Sequence, residues 1–297
     1  MTYRRRATAP IVVGVDGSQS AVEAALWAGD EAVRRQLPVT LIHAYVVPTV
    51  RVAIKLPTVG MVRDGLESSG LACLREAETA VSQRWPELHI DTVIREAEPV
   101  AALIHESAAA SLMVLGTRGL GGFTGMLIGS TAVALAHHGH CPVVVVRGAG
   151  NTADPVVVGV DGSPASEAAL AFAFEEAFLR EAPLIAVRTW NAVLGDGSVR
   201  PHVLTADPVA IAADERRALE EQLSGWREKY PDVAAKHIIR RGRPVRTLLE
   251  LGEHAQLLVV GSRGLDGFPG MLLGSTSQAL LAHAPCAVAV IRDESEE

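Results

Sequence analysis

The sequence predicts an α/β protein of two tandem domains, each a five-stranded parallel sheet with helices on both faces. Three observations predict it. The 297-residue chain contains itself twice: IVVGVDGS at 11–18 returns as VVVGVDGS at 156–163, and GTRGLGGFTGMLIGST at 116–131 returns as GSRGLDGFPGMLLGST at 261–276, both at an offset of 145. A repeat of that length suits a duplicated domain, not a solenoid unit. Within each copy, short β-branched runs alternate with longer stretches of helical period, the pattern of a parallel sheet with crossover helices. The expected domains are 1–147 and 155–297, joined by a linker at 148–154, GAGNTAD, whose Gly, Asn and Asp are loop formers.

The elements of the first half follow in order. Residues 10–16 form a short apolar run ending in Gly-Ser turn residues, a buried strand that ends at Asp16. Ser18 can cap the next helix, with Ala21, Ala25, Leu26, Ala28 and Val33 on its packing side. Pro38 closes that helix and 39–46 is the second strand. A helix over roughly 61–85 ends at Trp85-Pro86, 90–95 is a strand, and 99–107 is a helix with proline in its first turn. Residues 112–115 make the fourth strand; the glycine-rich segment leads into a helix over 130–138, and 142–147 is the fifth strand. In the order 3-2-1-4-5 the first and fourth strands are neighbours, so Asp16 and Gly116 meet at the switch point, where open α/β sheets bind ligands.

The distribution of identities between the halves says more than their number. Aligned without a gap, 11–147 and 156–292 share 43 of 137 positions; the glycine-rich segment keeps 12 of 16, whereas 39–73 against 184–218 keeps none of 35. Packing alone preserves apolar character and leaves loop residues free. A loop held identical between diverged copies therefore implies a shared backbone geometry or a shared ligand, and the unmatched stretch is where the copies differ in what covers the site.

The loop spacing is G-x-x-G-x9-G-S/T in both halves, with Gly116, Gly119 and Gly129-Ser130 answering to Gly261, Gly264 and Gly274-Ser275. Glycines let backbone N–H groups converge on an anion. Gly129, Ser130 and Thr131 stand where a helix begins, so free N–H groups and the helix dipole favour phosphate, with Arg118 as a nearby cation. The alternative is a glycine-rich turn followed by a serine cap. A phosphate loop of the G-x-x-x-x-G-K-[ST] kind needs a lysine, and the lysines are Lys55, Lys229 and Lys236. The dinucleotide signature G-x-G-x-x-G should follow the first strand, where the chain has G-V-D-G-S, which disfavours NAD-linked chemistry. Asp16 and Asp161 either accept from a ribose hydroxyl or adenine amino group, or hold a metal near phosphates, or close an Asx-turn.

Composition bounds the rest. A net charge of −7 argues against nucleic acid or an anionic membrane as partner. No stretch of 18 apolar residues occurs. Cys73, Cys141 and Cys286 are widely separated and form no C-x-x-C pair, and the start MTYRRRATAP lacks a following signal-type apolar stretch, so a reducing cytosol is expected. His137, His138 and His140 read as histidines at a helix C-terminus and not as a metal cluster. Glu175-Glu176, Glu220-Glu221 and the terminal DESEE read as solvated surface, and Trp27 and Trp85 as packing residues.

These residues resemble the universal stress protein family in its tandem two-domain form: V-G-V-D-G-S, the G-x-x-G-x9-G-S/T loop and the closing C-P-V-V-V-V at 141–146 carry the resemblance over nearly the whole chain. It implies a Rossmann-like (adenine nucleotide alpha hydrolase-like) sandwich with ATP in the crevice of each domain, accompanied or not by Mg2+. Carried across, Gly14, Asp16 and Ala44 would face the nucleoside, and Gly116, Thr117, Arg118, Gly119, Gly121, Gly122, Gly129, Ser130 and Thr131 would hold ribose and phosphates. The second-half counterparts are Gly159, Asp161 and Thr189, then Gly261, Ser262, Arg263, Gly264, Gly267, Gly274, Ser275 and Thr276. Thr189 in place of Ala44, and Asp266 in place of Gly121, lead to the expectation that the second site is weaker or needs a cation. The family further implies a cytoplasmic nucleotide-dependent regulator of stress response or growth, with the edges at 143–147 and 288–292 meeting across the halves, homodimerisation, and a regulatory protein partner. A cyclic-AMP sensor and a slow ATPase or autophosphorylating enzyme are the alternatives; no catalytic constellation is assigned.

Overall fold

The computed structural model describes residues 8–48, 59–117, 119, 128–148, 153–190, 208–265 and 273–293. The chain divides into two compact units, Met1–Val146 and Arg147–Glu297.

In the first unit β1 (Ile11–Gly14), β2 (Val39–Tyr45), β3 (Ile90–Glu96), β4 (Leu112–Gly116) and β5 (Val143–Val146) pair in parallel in the order β3-β2-β1-β4-β5. In the second, β6 (Val156–Gly159), β7 (Leu184–Trp190), β8 (Ala235–Arg241), β9 (Leu257–Gly261) and β10 (Ala287–Ile291) pair in the order β8-β7-β6-β9-β10. The expected strand order holds in both. The central strands are buried on both faces: Ile11, Val13 and Val114 have no exposed surface, nor do Val156, Val158 and Val259. Continuous apolar strands are what a sheet covered on both sides requires.

Helices α1 (Gln19–Arg35), α2 (Val59–Arg84), α3 (Pro99–Ser107) and α4 (Ser130–His138) connect the first five strands, and α5 (Pro164–Leu179), α6 (Pro208–Lys229), α7 (Pro244–Gly252) and α8 (Ser275–His283) repeat the plan. Ser18 caps α1 by accepting from Ala21 N (3.2 Å), and Ser163 caps α5 from Ser166 N (3.1 Å).

Three readings need correction. The first strand ends at Gly14, not Asp16, because Val15 makes the last bond to β2, donating to the Ile42 carbonyl, and the chain then turns through Asp16 and Gly17. Val33 points away from the core at 49% exposure and Leu26 is half-buried; the inner face of α1 is instead made of Ala21, Ala24, Ala25, Ala28 and Ala32, with Gly29. Glu176 is fully buried, not solvated, because Arg180 one turn later pairs with it (2.7 Å) and Gln256 takes the other end of the guanidinium (3.2 Å). Glu31 repeats this arrangement with Arg35. Glu220 and Glu221 are exposed as expected, and 294–297 lie outside the described residues.

The halves differ between their first two helices. Trp85 lies across Gly29 so closely that a β-carbon there would strike the ring, Cε3 at 2.7 Å. In the second half Phe174 stands where Gly29 does, and its ring stacks with Trp226 and Tyr230 at 6.0 Å, joining α5 to α6. A cleft of about 840 Å³ lies beside α6, lined among others by Glu167, Arg188, Gln222, Trp226 and Lys229.

Candidate functional site

The loop after the first strand of each half is an Asp-Gly-Ser turn. Gly17 and Gly162 have φ of +88° and +90°, where a side chain would be strained. Asp16 Oδ1 accepts from Ser18 N (3.0 Å) and Ser18 Oγ (2.7 Å); Asp161 Oδ1 accepts from Ser163 N (2.9 Å). The Asx-turn reading is therefore realised. It accounts for one carboxylate oxygen only.

The other oxygen faces the glycine loop. Asp161 Oδ2 accepts from Leu265 N (3.1 Å), and a β-carbon on Gly264 would collide with it; a β-carbon on Gly119 would collide with Asp16 Oδ2 in the same way. The two segments that the strand order places side by side are thus in direct contact in both halves. Ser163 Oγ adds a bond to the Arg263 carbonyl (3.3 Å).

Each loop is closed at its base by a backbone bond, Gly129 N to Thr117 O (2.8 Å) and Gly274 N to Ser262 O (2.7 Å). The glycines at its start have protein neighbours that demand them. A β-carbon on Gly116 would lie 2.5 Å from the Ser20 carbonyl oxygen, and one on Gly261 would lie 2.8 Å from the Ala165 carbonyl carbon. Gly14 meets Leu115 of β4 at 2.6 Å and Leu103 of α3 at 3.4 Å from its built β-carbon, and Gly159 meets Leu248 of α7 at 3.1 Å. Gly129 and Gly274 are different. Their φ values of −69° and −68° suit any residue, and a β-carbon would meet its nearest neighbour at 3.7 and 3.4 Å, ordinary contact.

Those two glycines are the N-caps of α4 and α8, and neither helix has a side-chain cap bond. Ser130 and Ser275 are thus the first helical residues, not the caps, and are exposed; Thr131 and Thr276 follow half-buried. A helix start with no side-chain acceptor keeps its N–H groups and positive dipole end for an anion. Ser262 Oγ, buried at the base of the second loop, has no hydrogen-bond partner among the described residues.

Ala44 and Thr189 lie near the ends of β2 and β7, in register with Arg95 and Arg240. Arg118, Gly121, Gly122 and Gly267 lie outside the described residues, as does Asp266.

Three neighbours of the turn escaped the sequence reading. His43 Nδ1 donates to the Val15 carbonyl (2.8 Å) beneath the turn, with Gly70 against its ring. In the second half Arg188 stands in that place, held by Glu215 (2.6 Å) and Gln222 (3.2 Å), so a His–Gly pair is exchanged for an Arg–Glu pair. Both pairs fall in the stretch without identities; the shared offset of 145 was the available signal. Cys73 on α2 is the third: burial, then the Asp16 carboxylate, push its thiol up from the ordinary cysteine range. Among the described residues no His, Cys, Asp and Glu side chains gather as a metal centre.

Two parallel α/β units, each presenting an Asp-turn in contact with a pinned glycine loop at the switch point, define a tandem Rossmann-like protein. The chain belongs to the universal stress protein family, whose model matches it twice, at residues 8–147 and 152–292. It is 39% identical over 289 residues to a universal stress protein of Mycobacterium tuberculosis, covering 94% of this chain and 95% of that one. A universal stress protein of Mycolicibacterium smegmatis is 38% identical over 291 residues, covering 95% and 96%. In fold the chain is similar to the crystal structure of a universal stress protein from Archaeoglobus fulgidus, with a TM-score of 0.70 at 19% identity, covering 96% of this chain and 98% of that one. No helix among the described residues is long and apolar enough to cross a membrane.

Proposed function

We propose that each half binds one adenine nucleotide, ATP above all, and that the protein is a nucleotide-dependent regulator of a stress response and not a rapid-turnover enzyme. The observation that carries this reading is the start of α4 and α8: a helix N-terminus without a side-chain cap, at a glycine that no neighbour among the described residues demands, in both copies. Phosphate oxygens satisfy such N–H groups and suit the dipole. The residues fit the nucleotide in another respect: the buried Ser262 hydroxyl needs a partner at the loop base.

Under this reading the backbone from Gly116 to Gly119, and from Gly261 to Gly264, lines the ribose and phosphates. Ser130, Thr131, Ser275 and Thr276 supply hydroxyls, and Asp16 and Asp161 accept from the nucleoside. Ala44 and Thr189 border the base. Any Mg2+ would arrive with the phosphates, since Asp16 and Asp161 already accept from backbone N–H groups.

Mass spectrometry of nucleotide released from freshly purified protein tests the assignment, with ATP the expected species. Competition between ATP and cyclic AMP separates the two ligands, and a magnesium-dependent turnover assay detects slow hydrolysis. The family resemblance also leads us to propose a homodimer, which light scattering measures.

A further inference from the structure

The cleft beside α6 has walls that differ in kind from the matching seam of the first half. We propose that it is a separate ligand site, carried by the second half alone, and that it takes an uncharged, polyhydroxylated molecule of the sugar class. The proposal does not rest on the nucleotide reading.

At the common offset of 145, Val22, Ala77, Ala80 and Val81 of the first half become Glu167, Gln222, Gly225 and Trp226. Ala77 and Val81 have no exposed surface, so the first seam is closed by small apolar side chains. In the second half the same positions line the cleft of about 840 Å³, within the ~300–1,000 Å³ usual for small-molecule sites. A β-carbon on Gly225 would meet nothing within 4 Å. The cleft meets the Asp161 turn at Gly162 and follows α6 to Lys229, the last residue of the helix. A crossover helix runs antiparallel to its strands, so Lys229 lies toward the end of the sheet opposite the nucleotide crevice.

The polar groups of the wall are held in place before any ligand arrives. Arg188 is fixed by Glu215 (2.6 Å) and Gln222 (3.2 Å), and Glu167 Oε1 accepts from Trp226 Nε1 (3.0 Å). Such preorganisation reduces the ordering cost of binding. Two carboxylates in the lining, Glu167 and Glu221, are matched by two cations, Arg188 and Lys229, so the wall favours neither an anion nor a cation. Carboxylates only accept, guanidinium and ammonium groups only donate, and the Gln222 amide does both, so the ligand must offer donors and acceptors together. A hydroxyl group is both. The N–H of half-buried Trp226 is engaged by Glu167, so what this residue brings is ring surface. The C–H face of a sugar packs against an aromatic ring while its hydroxyls reach outward to polar side chains.

Saturation-transfer NMR on the full-length chain tests the site, with maltose, cellobiose and sucrose as probes. At least one of them should receive saturation and titrate with a Kd of about 1–10 mM, as suits an open cleft. Gly225→Phe fills the cleft from a position with room for the ring, so it should fold as the wild type does and abolish the transfer. Glu167→Gln keeps an acceptor for the indole and loses the charge; it should weaken binding about 3- to 10-fold, and it decides the matter if Gly225→Phe fails to fold. Sulfate and choline are the charged controls. Transfer to none of the three sugars overturns the proposal, as does sugar binding unchanged in the folded variants. Binding of sulfate or choline in the cleft without any sugar overturns the ligand class.

Discussion

Gly129 and Gly274 are the residues at which function and stability can be separated. Gly116 and Gly261 cannot serve, since a β-carbon there meets the backbone of Ser20 or Ala165 and would disturb α1 or α5 whatever binds nearby. At Gly129 and Gly274 there is room, and aspartate is a good N-cap that also suits the helix dipole. Gly129→Asp or Gly274→Asp should therefore leave the melting temperature unchanged or raise it slightly. It should at the same time cut nucleotide affinity in that half at least ~10-fold, because a fixed carboxylate occupies the anion position. Thermal melts and calorimetry on the same samples check both signs. The cysteines give a second residue-scale expectation. Burial pushes the Cys286 thiol up to about 12, so it stays protonated and unreactive in the folded protein. Maleimide at pH 8 should label Cys73, half-exposed on α2, well ahead of buried Cys141 and Cys286. The sign of the linked pH effect follows. The unfolded chain gives up the Cys286 proton near 9, while the folded chain keeps it to about 12, so this group lowers stability as pH rises above 9, as urea titrations at pH 8 and 10 would record.

At the scale of elements, the strands and most helix limits were legible because their signals are local: β-branched runs, Ser18 as a cap, Pro99 in a first turn. What was not legible depends on contacts distant in sequence or on one helical turn read in context. Glu176 next to Glu175 looks like solvated charge; only the position of Arg180, four residues on and 6% exposed, reveals a buried pair. Removing one partner of such a pair leaves an uncompensated buried charge, so Glu176→Ala should cost about 3–5 kcal/mol by denaturant unfolding. The seam between α1 and α2 was equally hidden, since nothing in the sequence joins Gly29 to Trp85. Gly29→Ala overpacks it and should cost about 1–3 kcal/mol.

Across the whole molecule the duplication was the most informative feature of the sequence. It placed the Asp-turn and the glycine loop at one crevice through strand order alone, and the contacts of Asp16 with Gly119 and of Asp161 with Gly264 put them there. Sequence identity did not distinguish glycines that packing demands from glycines it does not; that needed the surroundings of each Cα. It also left unseen that β2 and β7 present a histidine in one half and an arginine in the other beneath otherwise matching turns. The central claim is that two equivalent helix starts each receive a nucleotide phosphate. Calorimetric titration of the wild-type chain, of each aspartate variant and of the double variant with ATP tests it most directly. The account predicts one nucleotide per half in the wild type, loss of one site in each single variant and of both in the double. Wild-type protein that takes up no ATP, or a double variant that binds as the wild type does, would contradict it.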